Sequence, residues 1–340
     1  AGVGQVKLSG DIGHLAANKV YAYLPRILGD EVLFWLRRAL PKGDASKGKL
    51  LWEGSVQDFP YTAGSPAANK GQFLISAEGR GVTLDYVEGW PKIENINGHL
   101  SFAGLAMDVR ANSAEISGAS LFDVSAKIPN LEIDQHVLID GKARGKTSDF
   151  LRFVQNSPVK AATNGFLDQL VATGQGVLAL KLDIPIADTD ATKVEGIYQF
   201  KQNELQFGGV IPKLSEATGS VEFSEASLKI PAAQAKALGG QVSLHGANDA
   251  QGDLLLQMKG EAAMEQVLAQ YLPALQGHIN GFSQFQSQLK VGPQQYSLTL
   301  QSNLYGAKVD LPQPLAKNAA DSRTLQLSAS GNATADRLTF

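Results

Sequence analysis

Leu178, Leu180, Leu182 and Ile184 alternate with Ala179, Lys181 and Asp183. A run with that period buries one face only as a β-strand, because successive strand side chains point to opposite sides. The pattern recurs along the chain. Gly98 to Ala103 places Leu100 and Phe102 on one face, and Leu105, Met107 and Val109 resume after a turn at Gly104. Leu84 with Tyr86, Leu205 with Phe207, and Val221 with Phe223 repeat it. So do Leu228 with Ile230, then Leu254, Leu256 and Met258, and Leu298 with Leu300. The 35 glycines supply the turns and bulges that many short strands require.

Helical spacing is confined to three stretches. Residues 24–40 carry Leu24, Leu28, Val32, Trp35 and Ala39 as one stripe, ended by Pro41 and Gly43. A shorter stretch covers 148–155 and stops before Pro158; the third, 262–275, lines up Met264, Val267, Leu268, Tyr271, Leu272 and Leu275. Such regular spacing implies a repeating unit of many strands and one helix.

Direct comparison supports repetition. Trp90-Pro91-Lys92-Ile93 resembles Ile211-Pro212-Lys213-Leu214 at an offset of 121 (211 less 90). Without a gap, Leu84 then falls on Leu205, Tyr86 on Phe207, Gly98 on Gly219, Leu100 on Val221, Phe102 on Phe223, Met107 on Leu228 and Gly118 on Gly239; a slip of two aligns Gly141 with Gly260. The expected organisation is a partial repeat over 1–71, a β-groove repeat over 72–192, and another over 193–340 that includes the start of a next one, all in one continuous sheet. The expected fold class is mainly β: an elongated, twisted antiparallel sheet of tandem repeats curled into an open hydrophobic groove, with a few short helices.

Composition narrows the function. A 44% hydrophobic, 19% charged chain folds. Its 30 basic and 33 acidic residues leave a net charge of −3, with no basic surplus for nucleic acid. The absence of cysteine removes disulfides, thiolate metal sites and thiol nucleophiles, and fits an oxidising compartment. The longest apolar stretch, Val32 to Leu36, is far short of the roughly 20 residues that span a bilayer. Both ends, Gly4 to Leu8 and Arg337 to Phe340, read as strands interrupted in mid-sheet, with neither initiating methionine nor signal segment. The expectation is a piece of a longer protein.

An antiparallel sheet with one apolar face must cover that face with a second sheet, with helices or with a ligand. Three short helices are too few. A closed sandwich and an open apolar trough remain, and roughly twenty strands at about 4.8 Å spacing would extend about 100 Å, the length of a conduit.

Here a resemblance becomes specific. Tyr23-Leu24-Pro25 through Leu36-Arg37-Arg38-Ala39-Leu40, Gly48 to Phe59, and Gly89-Trp90-Pro91-Lys92-Ile93 with Gly98-His99-Leu100-Ser101-Phe102 occur in order. Phe150-Leu151-Arg152-Phe153 with Ser157-Pro158, and Leu311-Pro312-Gln313-Pro314-Leu315, follow. In these motifs and their spacing the whole chain resembles the AsmA-like proteins of Gram-negative bacteria. The resemblance implies a periplasmic protein anchored in the inner membrane, whose repeating β-groove bridges toward the outer membrane and carries phospholipid. The membrane helix and far C-terminal region of the family pattern lie outside this sequence, so its partners at either membrane do too. The 21 alternating apolar residues named in the opening paragraph, from Leu84 to Leu300 and leaving out Ile184, are the candidate groove lining, with no cofactor and no catalytic residue.

Sharper chemistry finds little support. Gly43-Asp44-Ala45-Ser46-Lys47-Gly48-Lys49-Leu50 nearly spells a phosphate-binding loop, but Leu50 stands where a magnesium-binding hydroxyl is needed, and a helix precedes it. A basic turn is the expected structure. His14, His99, His136, His245 and His278 have no metal-ligand spacing, and His99 falls opposite Leu100 and Phe102. Asp188 and Asp190 sit in a turn, and no Gly-x-Ser-x-Gly elbow occurs. Phe34, Trp35, Arg37 and Arg38 give the first helix a membrane-surface flavour, yet two arginines are few, and packing at a groove end is expected. The rival functions are a scaffold that offers β edges to outer-membrane protein chains, a role ascribed to another AsmA-like protein, and a polysaccharide-binding β solenoid. The second would display aromatic residues outward, whereas only 7% of residues are aromatic and they lie among aliphatics.

Overall fold

The computed structural model describes residues 4–22, 30–61, 64–162, 167–168, 170–207, 211–292, 295–331 and 336–339. The chain is mainly β, with antiparallel strands in open sheets and few helices. It divides into two units, residues 1–145 with 178–195, and 146–177 with 196–340.

The first unit is a meander: β1 (Gln5–Ala16), β2 (Lys42–Ser55), β3 (Gly71–Leu84), β4 (Ile93–Ala103), β5 (Ala106–Ile116), β6 (Ala119–Ile128) and β7 (His136–Lys146), each paired with the next. Helix α1 (Asp30–Ala39) connects β1 to β2. The earlier part of the expected 24–40 helix lies outside the described residues, and Ala17–Ala22 forms a 3-10 turn.

In the second unit α2 (Thr147–Gln155) and the single turn α3 (Val159–Ala162) follow β7. The Asp149 carboxylate anchors the start of α2, accepting the Lys146 N–H at 3.3 Å where the helix dipole favours negative charge. Strands β8 (Val171–Pro185) and β9 (Lys193–Gln206) each contribute residues to both units. Then come β10 (Leu214–Ser224), β11 (Leu228–Ala237), β12 (Gly240–Asn248) and β13 (Leu254–Ala263), helix α4 (Met264–Tyr271), and β14 (Ile279–Val291), β15 (Tyr296–Ser302), β16 (Ala307–Val309), β17 (Leu325–Gly331) and β18 (Asp336–Thr339). β10 to β15 pair consecutively, β15 pairs β17, β17 pairs β18, and β16 sits beside β14.

Two expectations are corrected here. The helix placed at 262–275 shortens to α4, because Ala262 and Ala263 remain paired with Ser283 and Phe282 in the sheet, and Pro273 breaks the pattern. The Gly43–Leu50 stretch is no turn: it lies inside β2, paired with β1 and β3, so its backbone N–H groups serve the sheet and cannot cradle a phosphate.

The strands carry bulges at residues with left-handed backbone: Lys47 in β2, Gly81 in β3, Asn95 in β4, Asp123 in β6, Gln202 in β9 and Glu216 in β10. Each inserts an extra residue and bends its strand. A bulge also shifts the alternation by one, so the inward set in β4 runs Ile93, then Ile96, Gly98, Leu100 and Phe102, and in β10 Leu214, then Ala217, Gly219, Val221 and Phe223. One face therefore stays apolar along the whole bent strand. Gly81 and Gln202, Asn95 and Glu216, Ser117 and Leu238, and Gly118 and Gly239 are all left-handed and all 121 apart.

Candidate functional site

The registers sort the first unit into two chemically distinct faces. Gly10, Leu50, Ile75, Phe102, Met107 and Ile128 form one cross-strand row over β1 to β6, beside Ala77, Leu100, Val109, Ala126 and Ile139. The row between them, Asp11, Lys49, Ser76, Ser101, Asp108 and Lys127, points the other way, and so do Glu78, His99 and Arg110. His99 thus lies opposite Leu100 and Phe102, on the polar side, as expected.

The second unit repeats the arrangement. Ile230, Gly246, Leu256, Leu289, Leu298 and Ala329 make one row, and Ala233, Leu244, Met258, Ser287, Leu300 and Leu327 the next. Between them His245, Gln257, Gln288, Thr299 and Ser328 face away.

Burial decides what kind of face this is. Among the described residues 23 apolar ones are buried, 15 of them alanines, and the largest fully buried side chain is Asn203. A closed sandwich of this size would bury its Leu, Ile and Phe residues completely. Instead Leu100, Phe102, Met107, Val109, Val221, Phe223, Leu228 and Ile230 are all half-buried, as are Leu178, Leu180, Leu182, Leu298 and Leu300. Small residues are deepest where the strands bend: Ala111, Ala114, Ala119 and Ala143 are at most 9% exposed. A convex bend would expose those positions most, so the apolar face is the inner side of the bend. Gly98 pairs Gly79 and Ala111 in the same place, and a Cβ there would overlap the Arg110 carbonyl.

The remaining candidates divide by position. Leu84, Leu205 and Met258 are half-buried strand residues on this face, whereas Leu254 and Leu256 are covered, at 9% and 8% exposure, by Leu289 and neighbours that include Tyr296 and Leu298. Leu105 lies in the β4–β5 turn, and Tyr86 and Phe207 lie just beyond their strands. Alternation alone cannot see where a strand ends. It also missed Leu50, Trp52, Ile75, Ile128, Leu244, Leu289 and Leu327. In Leu50-Leu51-Trp52 consecutive apolar residues hide the period, and the shift of parity at Lys47 shows only in the paired sheet.

Tyr86 packs its ring on Trp90 at 6.2 Å, and its carbonyl accepts the Trp35 indole N–H at 3.0 Å, which ties α1 to the β3–β4 connection. Phe34 and Trp35 nevertheless remain 74% and 41% exposed. Burial pushes the Tyr86 phenol up to about 12 from an ordinary 10.0. A raised value means the folded chain favours neutral tyrosine: the stability it contributes is intact below pH 10.0 and is lost as pH climbs through about 12. An ultraviolet titration should show a late-ionising tyrosine signal that shrinks in Tyr86→Phe.

Phe223 does not stand up from the sheet. Its ring lies across Gly196, where a Cβ would overlap it. Gly196→Val should expel the ring and lower stability by about 1–3 kcal/mol, read as a lower urea midpoint, with Gly196→Ala intermediate.

Among the described residues no group of three or more His, Asp or Glu could hold a metal ion, and no helix is long and apolar enough to cross a membrane. The histidines are dispersed; His136 faces Asp183 at 2.5 Å, and His14 faces Asp44 at 3.4 Å.

A sequence model of one family, described as YhdP protein, matches residues 1–340. The chain belongs to the YhdP protein family. A relative from Escherichia coli K12, named intermembrane phospholipid transporter YhdP, is 23% identical over 331 residues, covering 95% of this chain and 26% of that protein. This YhdP-family chain therefore spans about a quarter of that relative's length. No solved structure matches it significantly.

Proposed function

We propose that this chain is a segment of a bridge-like conduit that shields phospholipid acyl chains on its bent apolar face as they pass between inner and outer membrane. One observation carries the reading: among the described residues many large apolar side chains of the inner face, Leu100, Phe102, Met107, Val109, Leu298 and Leu300 among them, stay half-buried, although Ile128, Leu254, Leu256 and Leu289 are covered. A relative named as an intermembrane phospholipid transporter supports it. The energetic case is simple. Each methylene exposed to water costs about 0.8 kcal/mol, so a sixteen-carbon chain kept on such a face avoids about 12 kcal/mol. An apolar wall needs no fixed register with its cargo, which suits interchangeable Leu, Val, Ile, Phe and Met.

In this reading the chain works in the periplasm, its parent protein is anchored in the inner membrane, and no residue does covalent chemistry. The test is organic extraction of the purified chain followed by mass spectrometry. Phospholipid retained at one or more per chain is the expected result; a compact but lipid-free protein that captures unfolded outer-membrane strands would turn the reading toward an assembly scaffold.

A further inference from the structure

The β2–β3 connection runs over 15 residues, 56–70, the same length as β13–β14 (264–278) and longer than β8–β9 (186–192). Its first part turns back onto the inner face. Trp52 and Phe73 are cross-strand partners that continue the parity of Leu50 and Ile75, so both rings lie on the apolar side. Phe59 packs against them at centroid distances of 5.3 and 5.2 Å. Around it the connection is held by polar contacts. The Tyr61 hydroxyl donates to the Ser55 carbonyl at 2.8 Å and accepts the Trp52 indole N–H at 3.3 Å, while Lys70 pairs with Asp58 at 2.9 Å. The Pro60 carbonyl sits over Gly104, where a Cβ would come within 2.7 Å.

Phe59 itself is held on Trp52 and Phe73 by ring contacts. An acyl chain offers those rings the same kind of contact, so exchanging one for the other changes little apolar area. We infer that Trp52 and Phe73 form an acyl-chain subsite that Phe59 masks, and that cargo gains it only when Phe59 swings away. The inference rests on the conduit reading and adds a gated position to it. A masked site binds more weakly by the fraction of time it stands open.

The chain has 3 tryptophans and no cysteine, which makes fluorescence a clean probe. Trp35→Phe with Trp90→Phe leaves Trp52 as the reporter. A second reporter replaces all three by Phe and adds Leu100→Trp, away from the mask. Both are mixed with vesicles of phosphatidylcholine dibrominated on its acyl chains, against unbrominated vesicles. The expected result is that the Leu100→Trp reporter is quenched, that Trp52 is quenched weakly, and that Phe59→Ala raises Trp52 quenching about threefold. Phe59→Leu should fall between them, and decides alone if Phe59→Ala does not fold. Quenching of Trp52 that is equal with and without Phe59 overturns the mask, as does a Trp52 that no variant exposes while Leu100→Trp is quenched. If Leu100→Trp is not quenched, the conduit reading fails first and the inference falls with it.

Discussion

Asn203→Leu should cost the second unit about 3 kcal/mol, the largest stability loss expected from a single substitution outside the apolar rows. Asn203 is wholly buried. Its Nδ2 donates to Thr147 Oγ1 at 2.5 Å, and its Oδ1 accepts the Gln175 N–H at 3.1 Å. Thr147 in turn shares a 2.8 Å hydrogen bond with the Tyr198 hydroxyl, so one amide ties the first residue of α2 to β8 and β9. A leucine leaves the part-buried Gln175 N–H without its partner and strips one from the buried Thr147, at about 1–3 kcal/mol for each group. It also crowds Gly174, whose left-handed backbone lets Asn203 approach. Urea denaturation, followed with hydrogen exchange at α2, measures the effect: the midpoint drops and α2 amides lose protection. Thr147→Val should show a smaller version of the same loss. An unchanged midpoint in Asn203→Leu would mean that the network contributes no net stability.

The second large effect is functional. Phe102→Asp combined with Met107→Asp should remove most bound phospholipid while the chain stays folded. The two residues are direct cross-strand partners in the middle of the inner row, between Ile75 and Ile128. Both are half-buried, so a carboxylate placed there keeps contact with water and escapes the full penalty of burial. An acyl chain laid across that row would have to desolvate two charges. Lipid per chain after extraction should fall at least about tenfold, with a circular dichroism spectrum like the parent's. Unfolding of the double variant would instead indicate a closed core. Retention of lipid would move the cargo path off this row. Ser101→Asp, on the polar face beside Phe102, is the matched control and should leave lipid content unchanged.

Much of this was readable from residue order. Leu100 shares a face with Phe102, and Met107 with Val109, because side chains alternate within each strand. Helix 148–155 was visible from its helical spacing and its stop before Pro158. The mainly antiparallel β class followed from those local rules. Other features were hidden in longer-range physics. Asn203, between Gln202 and Glu204, looks like part of a polar strand tip. It turns inward because Gln202 takes the left-handed conformation and shifts the parity. Ala262 and Ala263 fall within the expected 262–275 helix, yet pairing with β14 keeps them in a strand. Gly43 to Leu50 read as a basic turn, and neighbouring strands on both sides made it sheet.

The sequence alone therefore determined the chemistry of the two faces, since alternation is a property of a single strand and needs no partner. Tertiary structure decided the rest. Bulges arise only when two strands compete for register, so only the paired sheet could show where each strand bends and which parity continues. Burial likewise depends on what lies across the face. That is why residue order could name Phe102 and Leu256 together as apolar lining, and only the folded chain could leave the first half-buried and cover the second.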